Sequence, residues 1–256
     1  MTTGSEPLTT QPPSPTTPRI WGYFATFGWA LLAYLIASVV SFVGLYLWDP
    51  VTFRIDVELS DAMKSAQYVG LTTIATNALL VGLLVVAVWS ARATAKDYLA
   101  LTWPSRQEVI VGLASLVILL PALDALALVT GQAIIPPFVI DLYKSAQSQG
   151  AMLLLWLAIV IAAPVAEEII FRGFLFRGWV RSTAQRPMIG ILVVTVFFTV
   201  VHIQYSWFHL LQVFMIGLLL TWTRWRSGST LLPMVMHVIA NFYAMVQAIA
   251  YFRWFV

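Results

Sequence analysis

The order of apolar and polar positions divides this chain into membrane-length segments. Residues 20–48 form an uncharged run between Arg19 and Asp49. A second run, 65–91, lies between Lys64 and Arg92, and a third, 109–130, is interrupted only by Asp124. Residues 145–166 open a fourth, which reaches Glu167. Residues 187–223 are a fifth run of 37 residues. One crossing needs roughly 20 apolar residues, so this run holds two. Its turn is expected at Gln204-Tyr205-Ser206-Trp207, with aromatics at the interface. Residues 227–252 form the last segment. The pattern predicts an all-α, polytopic membrane helix bundle of about seven transmembrane helices, within a range of six to eight.

Composition agrees. Hydrophobic residues make up 60% of the chain and charged residues 10%, with a mean hydropathy of +0.86. Soluble domains carry roughly 25% charged residues, so this chain cannot cover a globular surface facing water. The net charge of +3 speaks to loop topology rather than to a nucleic-acid partner. With no cysteine, thiol nucleophiles, disulfides, cysteine–zinc sites and palmitoylation are excluded. Residues 1–19 stand apart: they hold five of the thirteen prolines and six threonines. Such a stretch buries too little apolar surface to offset its ordering entropy and is read as a disordered polar tail. The first apolar run exceeds a signal-peptide core and is read as a retained anchor. The chain divides into the tail 1–19, N-terminal transmembrane helices over 20–149, and a C-terminal core over 150–250.

Loop charges test the count. With a cytoplasmic N-terminus, ten basic residues fall inside: Arg19, Arg92, Lys96, Arg106, Arg172, Arg177, Arg181, Arg186, Arg224 and Arg226. Four fall outside: Arg54, Lys64, Lys144 and Arg253. This is the positive-inside bias. The halves share no sequence repeat, which weighs against an inverted-repeat transporter.

Ionisable groups inside a bilayer are costly and mark function by default. Glu167 and Glu168 end a 22-residue uncharged run, and Arg172 follows. Glu168 and Arg172 are four apart and can pair on one helix face, while Glu167 points elsewhere. The same cluster could be a charged collar where the helix meets the headgroups. His202 ends an apolar segment and could serve catalysis or packing. His237 and Asn241, also four apart, share a face and suit either a polar cavity or an interhelical hydrogen-bond pair.

Geometry links the first two. The loop between the fourth and fifth segments centres near residues 184 and 185, about 17 residues from both Glu167 and His202, which an antiparallel hairpin sets at one depth. His237 lies only about ten residues past its own loop, so its depth stays open. A carboxylate in an apolar cavity can act as general base on a water. Histidines and an asparagine can donate hydrogen bonds to a developing oxyanion.

These residues resemble the CAAX-protease and bacteriocin-processing (abortive-infection-type) family of intramembrane endopeptidases. Its three motifs are Glu-Glu-x-x-x-Arg, Phe-x-x-x-His and His-x-x-x-Asn/Asp. They stand here as Glu167 to Arg172, Phe198 to His202 and His237 to Asn241, in the family's order, over about residues 150–245. The resemblance implies that Glu167 activates water with help from His202, and that His237 and Asn241 form the oxyanion site. Glu168 and Arg172 would hold the first helix in place. It implies a multi-pass protein of a prokaryotic cell membrane. The substrate would be a peptide or membrane protein of the bilayer, prenylated in the CAAX-processing members.

Glu167, His202 and His237 could also form a two-histidine, one-carboxylate zinc set, and the family is described both as metallo- and as glutamate-type. Asparagine is a poor zinc ligand and no His-Glu-x-x-His helix exists, so general-base chemistry without a cofactor is favoured. Other intramembrane proteases fit less well: Gly-x-Ser-x-Gly is missing, and an aspartyl site needs two intramembrane aspartates where only Asp124 qualifies. Asp124 is read as a packing or cavity residue, and His209 as interfacial. Two further classes stay open, a non-catalytic membrane scaffold or immunity factor of the same fold and a small proton-coupled transporter.

Overall fold

A computed structural model describes residues 19–53, 58–182 and 187–254. The polar tail, apart from Arg19, lies outside the described residues. The long helices follow the apolar runs: α1 (Tyr23–Trp48), α2 (Ala66–Ser90), α3 (Arg106–Val129), α4 (Pro137–Ser148), α5 (Met152–Val180), α6 (Pro187–Val200), α7 (Trp207–Ser227) and α8 (Leu231–Trp254). Five of them, α1, α2, α3, α5 and α8, are long and apolar enough to cross a membrane. The chain is a polytopic helical membrane bundle.

Local sequence sets the helix ends. Ser65 caps α2 by accepting from the amide of Tyr68, and Ser105 caps α3 by accepting from that of Glu108. Each satisfies an amide that the first turn leaves unpaired. Gly228 ends α7 with φ at +67° and donates its amide to Arg224 O, a left-handed cap that glycine adopts without steric cost.

Burial runs opposite to that of a soluble domain. The buried stripe of α1 is Thr26, Ala30, Ala33, Ala37 and Ser41, while Leu31, Leu32, Leu35 and Val39 face outward. Small residues at three- and four-residue spacing let helices approach closely, and lipid solvates the large side chains outside. This stripe packs on α2, and α2 in turn packs along α5.

Contacts define two faces. On one, Arg19 donates its amide to Ala91 O, Arg177 reaches Tyr98 O at 2.8 Å, and Thr230 donates its amide to Ala100 O. On the other, Ser145 accepts from Ala66 N, Tyr143 stacks on Phe252 at 4.6 Å, and Phe138 meets Tyr205 edge-on.

The 187–223 run splits as expected, with the turn at 201–206. Its first arm is short: 14 residues span about 21 Å at 1.5 Å per residue, less than the hydrocarbon thickness of ~30 Å. The fourth segment differs from expectation at both ends. Residues 145–148 belong to α4, an amphipathic helix that carries Asp141 and Lys144 and buries Leu142, Tyr143 and Ala146. The membrane helix begins at Met152 and runs on through Glu167 and Arg172 to Val180. Arg172 is therefore not a loop cation on the inner face but a fully buried group within α5.

Candidate active site

Two π-helical stretches in α5, Leu157–Ala162 and Ile169–Leu175, flank the paired glutamates. Such windings inside α-helices are rare and concentrate at functional sites. Each includes a carbonyl that binds a side chain from another helix. Ile159 O accepts from Asn241 Nδ2 at 2.8 Å, and Arg172 O accepts from Arg224 Nε at 3.1 Å.

Glu168 and Arg172 form the buried pair that their spacing suggested. Neither side chain is exposed, and Arg172 NH1 donates to Glu168 Oε1 at 2.7 Å. The guanidinium also donates to Thr221 Oγ1 at 3.2 Å and to Gly217 O at 2.9 Å. Its carbon lies 4.3 Å from the centre of the Phe198 ring. Arg172 thus joins α5, α6 and α7. The charged collar at the headgroups is not what the structure contains.

The three motifs converge. His237 Nδ1 lies 2.9 Å from Glu168 Oε1. His202, in the turn just past α6, has Nδ1 2.7 Å from Phe198 O. Both partners are acceptors, so Nδ1 carries the proton in each ring and Nε2 is left to face the site. Glu167 Oε2 lies 3.9 Å from Nε2 of His202 and 3.9 Å from Nε2 of His237. This oxygen is buried and has no hydrogen-bond partner among the described residues. A separation of 3.9 Å is too long for a direct bond and suits one bridging water. The depth of His237, open in the sequence, is that of Glu167. Phe198 floors the site: its ring lies 4.8 Å from the His202 ring and 5.6 Å from the His237 ring.

A cavity of about 160 Å³ opens beside the two histidines. His202, His237 and Asn241 line it together with Asp124, Tyr243 and Gln247. The rest of the wall is largely apolar, including Leu120, Val213 and Ile216. Residues before 149 therefore contribute to it.

Asp124 is a cavity residue, hydrogen-bonded by Tyr243 and Gln247. His209 is buried against other protein groups near the start of α7. Its ring lies 2.8 Å from Ser206 Oγ and 3.0 Å from Ala133 O. The carbonyl requires Nε2–H as donor, so Nδ1 accepts from the serine. His209 thereby fixes the start of α7 to the loop after α3.

Sequence reasoning missed Gly217, Thr221, Thr195 and Tyr205. Thr195 Oγ1 donates to Thr221 Oγ1 at 3.4 Å, and Thr221 Oγ1 donates to Gly217 O at 2.8 Å. A Cβ on Gly217 would lie 2.8 Å from Phe198 Cδ1. Tyr205 lies nearly parallel over His202 with ring centres 6.0 Å apart. The available signal was the Gly217 and Thr221 spacing of four, a small–polar pair suited to helix contact.

A zinc ion with ligands at 2.0–2.1 Å draws tetrahedral donors to about 3.3 Å from one another. Glu167 Oε2 stands 3.9 Å from each imidazole nitrogen, and the Asn241 amide is engaged with Ile159 O. Among the described residues no three His, Cys, Asp or Glu side chains form a metal-holding group. The donor set does not close on a metal in this arrangement.

Residues 149–243 match the family described as type II CAAX prenyl endopeptidase Rce1-like. The matching segment contains the three motifs that converge here. A curated relative is an Escherichia coli protein described as an uncharacterized 24.3 kDa protein, 32% identical over 106 residues. The match covers 41% of this chain and 48% of that one, so the chain spans about half the length of the relative it matches. No solved structure matches the chain.

Proposed function

We propose that this protein is an intramembrane endopeptidase that hydrolyses peptide bonds of membrane-associated substrates by metal-free, glutamate-based water activation. One observation carries the reading: a buried, unpartnered Glu167 Oε2 faces two imidazole nitrogens, each 3.9 Å away, and both imidazoles line a cavity.

Glu167 Oε2 and His202 Nε2 are acceptors aimed at one point, and a water between them supplies two protons. Glu167 takes one as the oxygen attacks the scissile carbonyl, and His202 orients the water. Charge develops on the carbonyl oxygen. His237, when Nε2 carries a proton, donates to it, and the Glu168 carboxylate behind Nδ1 stabilises the imidazolium. Asn241 spends one amide hydrogen on Ile159 O and keeps a second for the oxyanion. The proton held by Glu167 then passes to the leaving amine. Glu168 and Arg172 act as positioning residues, holding His237 and the helices around it.

The substrates in this reading are peptides or proteins of the bilayer, and the description of the matching family supports including prenylated C-terminal tails among them. Topology follows from charge. Arg19, Arg92, Lys96, Arg106, Arg177, Arg224 and Arg226 gather toward the face where α1 begins; Lys64, Lys144 and Arg253 lie toward the other. The first face is assigned to the cytoplasm of a prokaryotic cell, with the C-terminal core 150–250 as the peptidase unit.

The test is reconstitution of wild type and Glu167→Gln in liposomes with fluorogenic apolar peptides. Cleavage by the wild type alone, with both proteins equally folded, supports the reading. Equal cleavage by both removes Glu167 from the mechanism.

A further inference from the structure

We propose that Asp124 is the anionic wall of a substrate subsite, which selects peptides carrying a lysine or arginine a few residues from the bond to be cleaved. The inference rests on the peptidase reading above and names the substrate class of that same site.

Asp124 stands on α3, which carries none of the three motifs, yet it lines the cavity that His202, His237 and Asn241 line. Its Oδ2 accepts from the Tyr243 hydroxyl and, at 2.7 Å, from Gln247 Nε2, both on α8. These donors are neutral. They orient the carboxyl group without bringing a counter-charge to it. None of the described residues lining the cavity is a lysine or arginine.

A carboxylate at membrane depth is costly and is normally paired. A purely structural link between α3 and α8 would not require it, because an asparagine would accept the same two hydrogen bonds without the charge. The charge therefore serves something that enters the cavity. In apolar surroundings it favours a cationic side chain and disfavours an anionic one.

Helix α8 sets the distance. Tyr243 and Gln247 follow His237 by six and ten residues, about 9 and 15 Å along the axis at 1.5 Å per residue. An extended peptide covers that interval in about three to five residues.

The probes are fluorescent ten-residue leucine–alanine peptides with one lysine moved along the chain, and counterparts with glutamine or glutamate in its place. They are titrated in detergent against the Glu167→Gln protein with Asp124 retained or changed to asparagine. With Asp124, lysine at the favoured positions should tighten binding about tenfold over glutamine, the scale of one charge-assisted hydrogen bond, and glutamate should bind weakest. Asp124→Asn should bring lysine and glutamine within about twofold at an unchanged melting temperature. Equal binding of the three peptide series with Asp124 present overturns the proposal, whether or not Asp124→Asn folds. So does a lysine preference that survives Asp124→Asn. Wild-type cleavage of the same peptides reports separately on the peptidase reading. Lysine-selective binding without cleavage would keep the subsite and remove the peptidase.

Discussion

Glu168 and His237, 69 residues apart in sequence, are joined by a buried 2.9 Å contact between Oε1 and Nδ1. The same oxygen accepts from Arg172 at 2.7 Å. One carboxylate thus holds an imidazole in a fixed tautomer and neutralises a guanidinium that is wholly removed from solvent. Glu168 is tied to the stability of the bundle and, through His237, to the chemistry proposed for it.

Removing either member of that pair leaves an uncompensated buried charge. Breaking a buried ion pair costs about 3–5 kcal/mol, so Glu168→Ala and Arg172→Ala should each melt well below wild type in detergent and lose activity. Glu168→Gln keeps an acceptor for Arg172 but no charge for His237, so it should keep more of the stability than of the activity. Unchanged melting of both alanine variants would contradict a structural pair.

Gly217 sets the approach of α7 to α6. A Cβ there meets Phe198 at 2.8 Å, and Phe198 lies under both imidazoles and Arg172. Overpacking of this kind costs about 1–3 kcal/mol. Gly217→Ala should lower the melting temperature and the cleavage rate together. Gly82→Ala on α2, where an added Cβ meets nothing within 4 Å, should leave both near wild type. Equal behaviour of the two variants would show that the close approach does not matter.

Asn241 is bound to α5 through one hydrogen bond to Ile159 O, a link worth about 1 kcal/mol. If its second amide hydrogen serves the oxyanion, Asn241→Ala should lower kcat by about 10²-fold or more while melting changes little. A fall in melting that accounts for all the lost activity would assign Asn241 to structure alone.

The general-base proposal also fixes the response to chelators. Treatment with EDTA or phenanthroline, followed by gel filtration, should leave cleavage unchanged. Loss of activity that zinc restores would replace the water-activating role of Glu167 with a metal-bound one.

The membrane bundle was legible because the bilayer imposes a length on every apolar run. The site was legible in part for the same reason. Glu167 and His202 are equidistant from one loop, which sets them at one depth, and the four-residue spacing of Glu168 and Arg172 puts them on one face. Three features escaped. Arg172 read as a loop cation because charge seemed to end the helix, whereas its partners on α7 and the Phe198 ring lie far away in sequence. The helix α4 was missed because a short amphipathic segment bearing Asp141 and Lys144 does not register as an apolar run. The contacts of His209 left no trace because its partner is the backbone of Ala133, which carries no side-chain signal. Long-range packing and backbone acceptors leave little local trace.

Profiling of peptide termini in host membranes tests the central claim most directly, comparing wild type, a deletion strain, and the deletion complemented with Glu167→Ala. The account predicts cleaved termini that appear only with the wild-type protein. Identical termini in all three strains, with Glu167→Ala restoring the wild-type phenotype, would contradict it and make the protein a non-catalytic membrane scaffold.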